Sequence, residues 1–223
     1  MLHVFGYPIG IFEPFSKERV SKIREEINKY FKSDEKAILK SVKWNANCLT
    51  SSPDGHGRGN EIDLHQPYHA DTPLLQAVVK CLGEYLAQNN LDVDKLKPSM
   101  FRCGKDDCTE CVRDVWFNVY RRGHSQSPHW HHGEGTGCAF GFVYFAQYDP
   151  KKDGKFTFIN PAPDLQIDAL QECVAFQKEF APVVKEGDLM IFPAFMMHRV
   201  TKQMSNHERI TMAGNFFCKT KSK

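Results

Sequence analysis

After Pro98 the chain offers short extended segments and little else. RDVWFNVYR, CAFGFVYFAQYD, KFTFIN, DLMIFP and ERITMAGNFF are rich in aromatic and β-branched residues, and Gly, Pro or Asp punctuates them. Parallel strands need crossover connections, usually helices, and no amphipathic helix intervenes here. Such a run is expected to close as a sandwich or barrel. The core is therefore mostly β.

The first hundred residues supply the flanking α. Residues 2–15 read as one N-terminal strand, held to edge or irregular geometry by Pro8 and Pro14. In SKERVSKIREEINKYF, Val20, Ile23, Ile27, Tyr30 and Phe31 recur at helical steps while Glu and Lys fill the other face. SVKWNANCL reads as a short strand and SSPDGHGRGN as a loop. Thr72 is placed to cap a second helix with Pro73 at its first position. Leu74, Val78, Cys81, Leu82 and Tyr85 form its apolar stripe, which makes Cys81 a core residue. With no repeat or low-complexity linker, residues 1–223 are expected to form a single domain. Residues 1–100 would be an elaboration whose helices pack on the 101–223 core.

Composition excludes several functions. A net charge of +2 in 223 residues, with basic residues scattered, gives no case for a nucleic-acid partner. No apolar run approaches the roughly 20 residues that span a bilayer. The start, MLHVFGYPIGIFEPF, has neither a basic leader nor a long apolar stretch, so an intracellular, soluble protein is expected. Its eight cysteines are then thiols or metal ligands rather than disulfides.

Chemistry concentrates in GHSQSPHWHHGEG, which brings His129, His131 and His132 into four positions. Alternate side chains of an extended chain share a face, so His129 and His131 project together while Trp130 and His132 point away. Two imidazoles on one face of a strand rim are half of a metal site. The other half is in KEGDLMIFPAFMMHRV, where a strand reaches Pro193, turns and delivers His198. Three imidazoles so placed would form a facial triad with open positions on one side. Arg209 follows eleven residues later, inside a strand that otherwise reads as buried. A buried guanidinium needs an anion. That anion is either an internal carboxylate, Glu208 or Asp188, or the carboxylate of a ligand.

Taken together, WFNVYRRG, H-x-H, GFVYF, GDLMIFPAFMMHRV and ERITMAGNFF resemble the Fe(II)/2-oxoglutarate-dependent oxygenases. The resemblance is strongest to a small branch common in bacteria and phages, and it covers about residues 113–218. It implies a double-stranded β-helix, a jelly-roll or cupin-like core, with iron at its open end. His129 would be the first ligand and His198 the distal one. Arg209 would hold the far carboxylate of 2-oxoglutarate, with Asn118, Tyr120 and Thr211 assisting. The implied reaction hydroxylates a substrate, a small molecule or a peptide, and releases succinate and CO2.

One position departs from the pattern. Most members carry Asp or Glu two residues after the first histidine, and this chain has His131. A site of three neutral imidazoles would leave the metal its full +2 charge. The same segment resembles the first cupin motif, in which Glu134 would be a fourth ligand, and Gly187, Pro193 and His198 partly echo the second. Two alternatives therefore stay open: a three-histidine cupin-type enzyme without 2-oxoglutarate, and a non-catalytic barrel that binds a small molecule.

A second cluster, Cys103, Cys108 and Cys111, has the spacing C-x4-C-x2-C. It suits a structural zinc with Cys48 or a histidine as fourth ligand, or else it is a loop with free thiols. The segments Ser51–Asn60 and Ala162–Gln177 are long enough to form a rim or lid.

Overall fold

The computed structural model describes residues 2–33, 40–41, 46–50, 73–91, 115–131, 138–161 and 177–217. The N-terminal segment differs from the single strand expected. It is a hairpin of β1 (Leu2–Val4) and β2 (Tyr7–Phe12), because the chain reverses at Phe5 and Gly6, whose φ angles are 53° and 84°. Glycine takes the second of these without steric cost. Pro8 sits opposite His3, outside the Gly10–Phe12 stretch that pairs with β11 (Leu189–Pro193). β2 is thus an interior strand that keeps its proline clear of the inner ladder.

The remaining strands are β3 (Lys40–Ser41), β4 (Ala46–Asn47), β5 (Leu49–Thr50), β6 (Val115–Tyr120), β7 (Ser125–His129), β8 (Cys138–Gln147), β9 (Phe156–Ile159), β10 (Glu179–Phe180), β12 (His198–Val200) and β13 (Arg209–Phe217). They form two sheets, ordered β1-β2-β11-β8-β13-β6-β5-β3 and β10-β9-β12-β7-β4. All the pairings are antiparallel. This is the mostly β architecture that the strand-rich sequence calls for, with the two sheets of the jelly-roll that the resemblance implies.

Residue parity in the central strands explains why they are buried on both faces. Phe142, Tyr144 and Ala146 of β8, Leu189 and Ile191 of β11, and Ile210 and Met212 of β13 join one apolar cluster. Into it pack Ile23 and Ile27 of α1 (Lys17–Ser33) and Leu75, Val78, Leu82 and Tyr85 of α2 (Pro73–Gln88). The alternate residues, Val143, Phe145, Met190, Phe192 and Ala213, meet Phe156, Phe158 and Val200 of the smaller sheet in a second cluster. Each large apolar side chain so buried contributes roughly 1.5–3 kcal/mol. The helices thus cover one face of the large sheet, as their stripes predict, and leave the other for the site. Neither helix, nor any other among the described residues, is long and apolar enough to cross a membrane.

Two local contacts fix α1 to the sheet. Arg24 donates to Glu186 at 2.7 Å. Gly187, at φ 90°, brings the turn before β11 so close to Val20 that an added Cβ would lie 2.7 Å from a Val20 methyl. On α2, Tyr85 donates its hydroxyl to the Pro8 carbonyl at 3.0 Å. The Cys103, Cys108 and Cys111 cluster, Thr72, the loop 51–60 and residues 162–176 lie outside the described residues.

Candidate metal centre

β7 and β12 are antiparallel neighbours whose register places His129 directly opposite His198. Their rings lie 4.3 Å apart, centroid to centroid. His131 stands two residues past the end of β7, where its backbone N–H bonds to the Ala194 carbonyl at 2.9 Å. Its ring is 5.4 Å from that of His129 and 4.9 Å from that of His198. One nitrogen from each of the three falls within 4.8 Å of the others. Trp130 points outward and is 53% exposed, as strand parity requires. His132 and Glu134 lie outside the described residues.

Hydrogen bonds fix which nitrogen each ring can offer. His129 Nδ1 lies 2.9 Å from the Ser127 carbonyl, and His198 Nδ1 lies 2.8 Å from the Met196 carbonyl. A carbonyl only accepts, so both Nδ1 atoms carry the proton and both Nε2 atoms keep a lone pair. His131 Nδ1 lies 2.7 Å from Asn215 Oδ1. Burial depresses the pKa of all three rings, first by desolvation of the charged form. For His131 the value falls to about 4, with His129 lowering it further and the Asn215 contact opposing. His198 is driven well below its usual value, its neighbours His129 and His131 adding to the effect. The rings are therefore neutral at pH 7, the state in which imidazole binds metal.

The three histidines line a cavity together with Trp116, Asn118, Tyr120, Gln126, Arg209 and Thr211, with Val143, Phe156, Val200 and Ala213 as apolar walls. Arg209 has no exposed surface, and none of its three nitrogens has a hydrogen-bond partner among the described residues. The carboxylates named from sequence as possible partners are engaged elsewhere. Glu208 pairs with Arg121, and Asp188 accepts from the Lys185 backbone N–H at 2.8 Å. A cation held in this way lacks an anion among the described residues, and the cavity it lines is where one would sit.

Asn118, Tyr120 and Thr211 also line this cavity, but two of them are already occupied. Tyr120 donates its hydroxyl to Gln126 at 2.9 Å. In the amide orientation that suits its neighbours, Asn118 donates to Thr50 Oγ1 at 2.8 Å and accepts from Trp116 Nε1 at 3.3 Å. Gln126 was not legible from sequence. Strand parity counted from His129 points it away, but the register between β7 and β12 slips, three residues on β7 spanning two on β12. That bulge turns Gln126 into the cavity.

Residues 114–215, which hold every cavity residue named above, match the model of a family described as "Putative 2OG-Fe(II) oxygenase". Over that segment the chain is similar to the Fe(II)/2-oxoglutarate oxygenases. The fold of this chain is similar to that of a prolyl-4-hydroxylase from Pseudomonas putida, with a TM-score of 0.59 at 14% identity over 96% of this chain and 94% of the other. It is also similar to a prolyl hydroxylase from Trichoplax adhaerens, solved with a peptide fragment of hypoxia inducible factor, with a TM-score of 0.55 at 10% identity over 94% and 83%. HygX from Streptomyces hygroscopicus, solved with nickel and 2-oxoglutarate, gives a TM-score of 0.50 at 11% identity over 95% and 83%. No curated protein matches the sequence. The residues fit Fe(II) and 2-oxoglutarate: three neutral imidazoles for the cation, and a buried guanidinium without a partner among the described residues for a carboxylate.

Proposed function

We propose that His129, His131 and His198 hold Fe(II), that Arg209 receives the distal carboxylate of 2-oxoglutarate, and that the enzyme hydroxylates a small-molecule or peptide substrate in a single domain built on the 101–223 core. The observation that carries this reading is the unpartnered guanidinium of Arg209 in the same cavity as the three imidazoles. Desolvating a cation costs several kcal/mol. The Tyr120 ring, 4.5 Å from the guanidinium carbon, recovers about 2 kcal/mol of that. The remainder is offset when a carboxylate enters. A three-histidine enzyme without an anionic cosubstrate would leave that cost standing.

When bound, iron and 2-oxoglutarate supply oxidative decarboxylation to succinate and CO2, coupled to oxygen transfer. This chain's residues do the positioning. Each histidine ring is held by its Nδ1 and keeps Nε2 for the metal. Phe156 stacks on His198 at 4.9 Å and 18°, restraining its rotation. The apolar walls keep water out, which strengthens the pull of Arg209 on a carboxylate. Gln126 accepts from Tyr120 through Oε1, so its amide N–H groups remain to donate within the cavity. Fold relatives solved with a peptide fragment and with hygromycin B support either substrate class.

The test is succinate release in air from the purified protein supplied with Fe(II) and 2-oxoglutarate, together with its thermal shift. Succinate that disappears in His198→Ala and Arg209→Met is the expected result. A protein that binds iron but shows neither turnover nor any thermal response to 2-oxoglutarate contradicts the reading.

A further inference from the structure

The three imidazoles are not tethered alike. His129 and His198 bond to carbonyls two residues back along the chain, Ser127 on β7 and Met196 in the turn before β12. These bonds go to the local backbone and need no particular side chain. His131 lies beyond the end of β7, and its Nδ1 reaches a side chain 84 residues away, Asn215 on β13, at 2.7 Å. Apart from the two other histidines, the rings beside it impose no proton position, Trp116 at 5.6 Å and Phe192 at 6.5 Å.

We propose that Asn215 is the positioning residue that makes His131 a metal ligand. The contact atom is the amide oxygen, which accepts only, so it holds the proton on Nδ1 and leaves the Nε2 lone pair to face His129 and His198. If the amide NH2 stood there instead, it would donate to Nδ1, put the proton on Nε2 and close the third position. Asn215 is set in place by register. It pairs with Gly141, where an added Cβ would crowd the Phe192 ring at 3.1 Å and come to ordinary contact, 3.4 Å, with His131 Nδ1. One β13 residue thus decides whether the site has three protein ligands or two. Outer partners of metal-bound histidines typically change metal affinity by about 10–100-fold. The proposal rests on the triad being the metal site, and the experiment separates the two.

The metal-free, ¹⁵N-labelled protein is read by long-range ¹H–¹⁵N correlation, with His131 assigned by its loss in His131→Gln. Co(II) is then titrated without 2-oxoglutarate. Wild-type His131 is expected to show the proton on Nδ1, and Asn215→Leu to mix the tautomers and weaken Co(II) binding by about 10–100-fold. Asn215→Asp, which keeps an acceptor, is expected to restore both. Rescue of this kind would not follow from a merely structural role. A wild-type His131 with its proton on Nε2 overturns the proposal even if Asn215→Leu fails to fold. So does an Asn215→Leu protein that binds Co(II) as tightly as wild type. Wild-type protein that binds no Co(II) overturns the triad itself and this proposal with it.

Discussion

Arg209 lies with its guanidinium carbon 4.5 Å above the ring of Tyr120, and no carboxylate among the described residues pairs with it. The aromatic contact offsets part of the desolvation cost and leaves an opening for an anion. Replacing Arg209 with Met, similar in length and uncharged, is expected to raise the KM for 2-oxoglutarate on the order of 100-fold or more. The same change should leave the melting temperature of the ligand-free protein equal or higher, because it removes an unpaired buried charge. Titration calorimetry and thermal melts check the two halves. A large loss of stability in Arg209→Met would mean that the cation already has its partner in the resting protein.

Acid should destabilise the metal-free protein through the triad. The folded pKa of His131 is about 4 against a usual 6.5, and those of His129 and His198 are also depressed. For such groups the unfolded chain binds more protons as the pH falls. Stability is full above about 6.5 and is lost as pH drops towards 4. The melting temperature should therefore fall between pH 7 and pH 5, and His131→Gln should flatten part of that slope. Identical slopes in the two proteins would contradict the assignment.

Much of this site was legible because strand periodicity is local. His129 and His131 share a face by counting, and His198 follows the turn after Pro193. Arg209 stands out as a charge in an apolar strand. Along β13, residues 209, 211 and 213 line the cavity at the expected step of two, and Asn215 continues that series. What failed was long-range or irregular. Asn215 carries no motif, since its meaning depends on β13 running past His131. Gln126 was hidden by the bulge beside it. The N-terminal hairpin was missed because the sequence around Phe5 and Gly6 gives only a weak turn signal, while its prolines suggested an edge.

Away from the site, Asp153 is a buried node that needs all its partners. It accepts from Gln203 Nε2 at 2.7 Å, from the Asp149 backbone N–H at 2.7 Å and from His207 Nδ1 at 2.9 Å. Asp153→Ala leaves these donors unsatisfied and should cost about 2–3 kcal/mol or more in urea unfolding. A change under about 0.5 kcal/mol, the range of ordinary surface substitutions, would show that water replaces the carboxylate.

Two glycines should respond in opposite directions to alanine. At Gly154 an added Cβ would meet the Thr201 backbone oxygen at 2.3 Å, so Gly154→Ala must displace the chain just past the end of β12. At Gly83, on the exposed face of α2, a Cβ meets nothing within 4 Å. Gly83→Ala should stabilise by roughly 0.5–1 kcal/mol, and Gly154→Ala should destabilise. Chemical denaturation of both variants checks the pair.

The central claim is that three neutral imidazoles, without a carboxylate, form an iron site that accepts 2-oxoglutarate beside Arg209. Anaerobic absorption spectroscopy tests it most directly, with Fe(II) added first and 2-oxoglutarate second. A visible charge-transfer band that needs both additions and is lost in His198→Ala and in His131→Gln is the predicted result. A band that survives unchanged in His131→Gln, or iron binding with no band at all, would contradict it.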